Sequence, residues 1–167
     1  MKSLIMTLFC AIAMTLPTFA QSTLNSKADN IVGEYLTDRG GSKSKVRVKK
    51  AADGTYTAQI FWVENPNDAN GKKRKDVKNP DKSLRNTDID KVVIVKGLKY
   101  LKGDKQWGDA KIYDPSKGIR VNVTAEFESE KKLKLRGTVF GIGTTIYWQK
   151  IKSISQCITG QQFPAIT

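Results

Sequence analysis

The chain has 167 residues, with 29 Lys and Arg against 16 Asp and Glu and no histidine, for a formal net charge of +13. Without histidine, Ser-His-Asp and Cys-His catalysis are excluded and a conventional zinc site is disfavoured, because the commonest general base and transition-metal ligand is missing. The positive balance favours polyanionic partners (nucleic acid, anionic lipid, acidic envelope polymers), and it also serves solubility alone.

The chain opens with "MKSLIMTLFCAIAMTLPTFA", residues 1–20. A basic start, an apolar run from Leu4 to Leu16 and small residues at Thr18 and Ala20 predict a secretory signal peptide cleaved after Ala20. The run is shorter than the about 20 residues of a membrane span. Pro17 and Ala20 fit cleavage better than an uncleaved anchor, and Phe9 ahead of Cys10 does not suit a lipoprotein signal. Periplasmic or extracellular localisation is therefore expected, with no transmembrane segment in the mature form. Cys157 is then the one remaining thiol, so no intramolecular disulfide is expected and the core must supply stability. Standing in a tail, with no histidine in the chain to act as its base, it is no nucleophile candidate.

Residues 21–30, "QSTLNSKADN", are polar and aperiodic and read as a flexible lead-in. A barrel or sandwich domain is expected over 31–152, beginning with a strand in "IVGEYLTD" that Arg39-Gly40-Gly41 ends. "KVRVKK" at 45–50 alternates Val46 and Val48 against Arg47 and Lys49. Asp53-Gly54 is a hairpin signal. "TYTAQIFWVE" follows, with Tyr56, Ala58, Ile60 and Trp62 expected on one face. Residues 65–90 hold two Asn-Pro pairs, an Asn-Gly and a basic cluster, and read as a long loop with a short helical turn near Ser83 to Asn86. A connection of that length within a compact domain is more often functional than not.

Strands resume at 91–100 and 107–114, where the turn in "KIYDPSKG" follows. The cleanest alternation is "IRVNVTAEFE" at 119–128, with Val121, Val123 and Phe127 on the apolar face. "KLKLRGTVF" repeats it with Leu135, and "TTIYWQKIK" completes the series with Ile146 and Trp148. Residues 153–167 read as a weakly ordered tail. Period-two alternation with one apolar face predicts an all-β domain of eight antiparallel strands around one core. The short turns favour neighbour-to-neighbour pairing, hence an up-and-down barrel, with a β-sandwich as the alternative.

"WGDAKIYDPSKG", "LKLRGTVFGIG" and "YWQK", with "VRVKKAADGTYTAQIFWV" and "KNPDKSLRNTDI" in order before them, resemble the bacterial domain-of-unknown-function family 2147 over about residues 31–150. The resemblance implies a small exported protein with a lipocalin-like barrel. Such folds carry Gly-x-Trp on the first strand and a basic residue late on the last. Here Gly33-Glu34-Tyr35 and Lys150 occupy those places, so Gly33, Tyr35 and Lys150 are the expected closure residues, through a cation–π contact weaker than usual.

Three places offer function. The interior of an eight-stranded barrel holds either packed side chains or one small ligand, which makes the inward-facing Trp62 and Trp148 candidate ligand contacts. The family motifs single out Arg47, Tyr113, Asp114 and Arg136, whose guanidinium forks and phenol suit a carboxylate or phosphate head group if they converge at a mouth. Strict alternation instead points Arg47 and Arg136 to solvent. The third is the basic loop Lys72, Lys73, Arg74 and Lys75, without interleaved aromatics to stack bases, so nucleic acid is not an expected partner. Paired acids such as Asp109 with Asp114, or Glu126 with Glu128, lie among Lys and Arg and read as surface pairs, so no catalytic residue, metal or cofactor is expected. The reading is an exported barrel that binds a small apolar or amphipathic ligand. The alternative is a basic, envelope-associated interaction module with a closed core that docks on an anionic surface.

Overall fold

The computed structural model describes residues 23–39, 41–139 and 142–153. The expected leader, both cysteines and the tail beyond residue 153 lie outside the described residues. The strands are β1 Gly33–Arg39, β2 Ser42–Lys50, β3 Tyr56–Val63, β4 Val93–Leu101, β5 Gln106–Asp114, β6 Ile119–Ser129, β7 Lys132–Val139 and β8 Ile142–Ser153. Each pairs antiparallel with the next, and β8 returns to pair with β1 from Gly33↔Ser153 to Thr37↔Trp148. One closed eight-stranded sheet therefore stands where the alternation predicted it, and the two-sheet alternative does not form. Tight turns enforce this order at every connection but β3–β4, where residues 64–92 intervene, because a strand that re-enters the sheet after a few residues can reach only its neighbour. At the β2–β3 turn, Asp53 Oδ1 accepts from Thr55 N–H (2.9 Å) and Oγ1 (2.7 Å), which locks the hairpin locally.

The two ends of the barrel differ in side-chain volume. The end with the β2–β3, β4–β5 and β6–β7 turns is filled by Tyr35, Tyr56, Trp107, Phe127 and Leu133, all almost fully buried. Trp107 meets Phe127 edge-on at 5.8 Å between centroids and lies 5.4 Å from Tyr100. Such aromatic pairs add about 0.5–1.5 kcal/mol each beyond the area they bury.

Residues 23–32 are packed across this end rather than forming the lead-in expected from their polar, aperiodic sequence. Asn25 is buried and bonds Phe127 twice, donating from Nδ2 to its carbonyl (3.0 Å) and accepting its N–H at Oδ1 (2.7 Å). The polar tips of the core aromatics end on the same segment. Trp107 Nε1 donates to Ala28 O (2.9 Å), Tyr100 Oη to Asn25 O (2.7 Å), Tyr35 Oη to Ile31 O (2.6 Å) and Tyr56 Oη to Asp29 Oδ1 (2.6 Å). The segment is a plug, held because buried polar groups must find partners and these aromatics supply them.

Closure of the barrel is completed here too. Gly33 opens β1 at φ 149°, a backbone conformation natural only to glycine. Lys150 Nζ stands 5.7 Å from the Tyr35 ring centroid and 5.1 Å from that of Phe127, and donates to Asn30 O. Burial pulls this amine down to about 8, since a half-buried site disfavours the charged form.

Candidate functional site

At the opposite end the inward positions carry small and branched residues. β1 offers Thr37 and Arg39, β2 offers Ser42, Ser44 and Val46, and β3, β4, β5 and β8 offer Ile60, Ile94, Ile112 and Ile146. These do not reach across the barrel, and a cavity of ≈ 990 Å³ results, floored by Trp148. That lies at the upper end of the about 300–1,000 Å³ typical of small-molecule sites.

Three expected ligand contacts are corrected by the strand register. Val46 pairs with Ile60 but Lys45 with Trp62, so Phe61 is an extra residue on β3. This bulge breaks the alternation. Trp62 stays outside, 38 % exposed beneath Lys45 Nζ at 5.0 Å, while Val63 turns in to line the cavity. Arg47 faces outward, bonded to Glu34 Oε1 through Nε (3.0 Å) and Nη2 (2.8 Å), with its guanidinium 4.3 Å from the Phe61 ring centroid. Arg136 is exposed and lies against the backbone at Gly143. The two arginines do not converge. The carboxylates that read as surface pairs are ion-paired outside the barrel, Asp109 with Lys99, Glu126 with Lys134 and Glu128 with Lys132.

The long connection between β3 and β4 caps the mouth, and it is built around a residue that the periodicity does not reveal. Asp76 is buried and accepts from Tyr113 Oη at Oδ1 (2.7 Å) and from Asn79 Nδ2 at Oδ2 (2.7 Å). Asn79 Oδ1 in turn accepts from Asp81 N–H (3.0 Å), and Arg85 Nε donates to Asn79 O (2.8 Å). Tyr113 is thus the post on which the loop is tied. Its hydroxyl is pushed well above the ordinary range, first by burial and then by the Asp76 hydrogen bond. The helical turn expected near Ser83 is a 3₁₀ turn at Lys82–Leu84, capped by Asp81.

Asp114 sits at the rim. Its Oδ1 accepts from Ser116 N–H (3.0 Å) and Oγ (2.6 Å), and its Oδ2 meets Arg39 Nη1 at 3.1 Å. Burial alone would raise this carboxyl, but the Ser116 bonds and the Arg39 charge outweigh it and hold it below the usual range.

The basic run borders the mouth without being a uniform free patch. Lys73 pairs with Asp90 (2.8 Å), Lys75 with Asp88, and Arg74 Nη1 donates to Asn65 O (3.0 Å). Lys72 and Lys78 border the same opening, and Lys78 Nζ donates to Ser116 O (2.7 Å).

Loop and β5–β6 turn interlock at Gly118, whose φ is +70° and where a Cβ would fall 2.4 Å from the Lys78 carbonyl oxygen. Gly118→Ala is expected to weaken this docking by about 2 kcal/mol, from left-handed strain of roughly 1–2 kcal/mol plus a contact that backbone cannot relieve cheaply. Amide exchange at Asp76 and Asn79 then quickens by roughly thirtyfold, with β6 and β7 unchanged. Unaltered protection at those two amides would contradict the interlock.

The family model described as "Uncharacterized protein conserved in bacteria (DUF2147)" matches residues 33–150. Among solved structures, the chain is similar to protein HP1028 from Helicobacter pylori, described as belonging to the lipocalin family. The identity is 25 %, the TM-score 0.59, and the match covers 77 % of this chain and 87 % of that one. Among curated proteins nothing matches.

Proposed function

For a chain that belongs to the DUF2147 family and folds as a lipocalin-like barrel, we propose a binding function outside the cytoplasm: capture of one small amphipathic molecule in the barrel. The observation that carries this reading is the ≈ 990 Å³ cavity, apolar along β3, β4, β5 and β8 and ringed by cations at its mouth, in a barrel whose other end is fully packed. The leader-like residues 1–20 support the location. The reading is therefore of a carrier or sensor.

The test is displacement of an environment-sensitive fluorescent fatty-acid probe by saturated carboxylates of increasing length. At roughly 0.3 kcal/mol per heavy atom, an amphiphile of about eighteen such atoms gains about 5 kcal/mol, which is binding at around 100 μM or tighter. Affinity is expected to rise by up to about fourfold per added CH₂ until the cavity is filled. No displacement at any length, with nothing extracted by organic solvent from protein purified from its own host, would sink the reading.

A second reading is favoured by Val77, exposed on the long loop beside the basic run, and by Ile142, exposed where β8 begins at the same end of the barrel. It is docking of the mouth on an anionic envelope surface. Its mark is vesicle binding that falls steeply with salt and is indifferent to any internal ligand.

A further inference from the structure

The cavity wall is not uniformly apolar. Thr37 pairs across β1 and β2 with Ser44, and Arg39 with Ser42, and all four residues line the cavity. Directly opposed residues bring their Cβ atoms to about 4.5–5.5 Å, and alternate residues on one strand lie about 6.6 Å apart. The result is a two-by-two polar patch of three hydroxyls and one guanidinium, flanked by Ile60 on β3 and Ile146 on β8, with Ile94 and Ile112 farther round the wall.

Within this patch Thr37 is 6 % exposed, and its Oγ1 has no hydrogen-bond partner among the described residues. A buried hydroxyl without a partner destabilises a fold, and valine would fill the same space without that penalty. In this rotamer Oγ1 is closed to solvent, so it meets a bound molecule only after a turn about χ1 exchanges it with the methyl group, and a ligand that completes the hydroxyl would offset the cost of that turn. The neighbours decide which ligand does so. Guanidinium and hydroxyl groups donate, and Arg39 commits one nitrogen, Nη1, to Asp114. Lys72 and Lys78 add positive charge at the same opening.

We infer that the β1–β2 patch of Thr37, Arg39, Ser42 and Ser44 is a head-group subsite, and that the bound molecule is an amphiphile with an oxyanion head, carboxylate or phosphate. The head lies on this patch and the tail runs between Ile60 and Ile146 on the flanking strands toward Ile94 and Ile112 on β4 and β5. This inference rests on the barrel-binding reading and goes further by naming the ligand class and its orientation.

Four ligands with one tail test it: dodecanoate, dodecyl phosphate, dodecanol and dodecylamine, titrated against the wild type and the Thr37→Val and Arg39→Gln variants. One or both oxyanions are expected to bind at least tenfold tighter than dodecanol, and dodecylamine weakest; whichever binds tighter identifies the head. Thr37→Val should lower oxyanion affinity by roughly three- to tenfold while leaving the thermal midpoint of the empty protein unchanged or higher. A purely structural threonine would show the opposite pattern. Arg39→Gln should bring the oxyanions to within about threefold of dodecanol. Equal binding of all four ligands, preference for the amine, or a Thr37→Val variant with wild-type affinity would overturn the subsite. In those cases the barrel-binding reading survives, whereas absence of binding by every ligand removes both.

Discussion

Trp107→Ala is expected to cost about 3–5 kcal/mol, the usual range for truncating a buried tryptophan, and to lower the melting midpoint by on the order of 10–20 °C. Two losses combine. The indole is fully buried between Phe127 and Tyr100, so removing it opens a void that the closed sheet cannot collapse around. The Ala28 carbonyl also loses its donor, and with it the plug loses one of its ties to the barrel. Trp107→Phe helps to separate the two, since it keeps most of the volume while losing the N–H and part of the bicyclic ring, for about 1–2 kcal/mol. Urea titration of both variants checks the pair. A Trp107→Ala protein that melts within 3 °C of the wild type would show that this aromatic cluster does not carry the fold.

Closing the cavity with Ile94→Trp and Ile146→Trp together should lower affinity for a long-chain carboxylate at least tenfold, about 1.4 kcal/mol, with the fold intact. β4 and β8 are four strands apart in an eight-stranded barrel, so the two indoles enter from opposite walls and narrow the throat from both sides. Both positions line open space, so the strain of overpacking a dense core is not expected here. The readout is probe displacement beside a thermal melt. Undiminished affinity in a folded double variant would place the ligand outside the barrel and favour the envelope-docking reading.

Much of the barrel was legible residue by residue, and the exceptions share a cause. β6 alternates cleanly over its whole length, and its reading needed nothing beyond itself. β3 alternates only as far as Ile60, because the bulge at Phe61 depends on how β2 pairs with it, and Trp62 therefore lies on the face opposite to the one that alternation predicts. Tyr113 and Asp114 stand out in sequence as a motif, yet their roles belong to distant partners: Asp76, thirty-seven positions away, and Arg39. Asn25 looked like part of a polar lead-in because its two bonds to Phe127 span 102 residues. Thr37 and Ser44 carry no motif at all, and only their pairing across the β1–β2 turn brings them together.

Sequence by itself determined the strands and most of their order, because alternation is a local property and tight turns leave a strand no partner but its neighbour; that β8 closes on β1, and that β4 follows β3 across the long loop, only the tertiary structure decided. It also determined the class of chemistry that is unavailable, through the absence of histidine. Tertiary structure alone decided that the barrel is packed at one end and hollow at the other, which residues plug it, how the long loop is tied to Tyr113, and where the polar patch faces. Each of these is a matter of which side chains from different strands meet at one level, and such meetings are set by register and by long-range hydrogen bonds that no local pattern records.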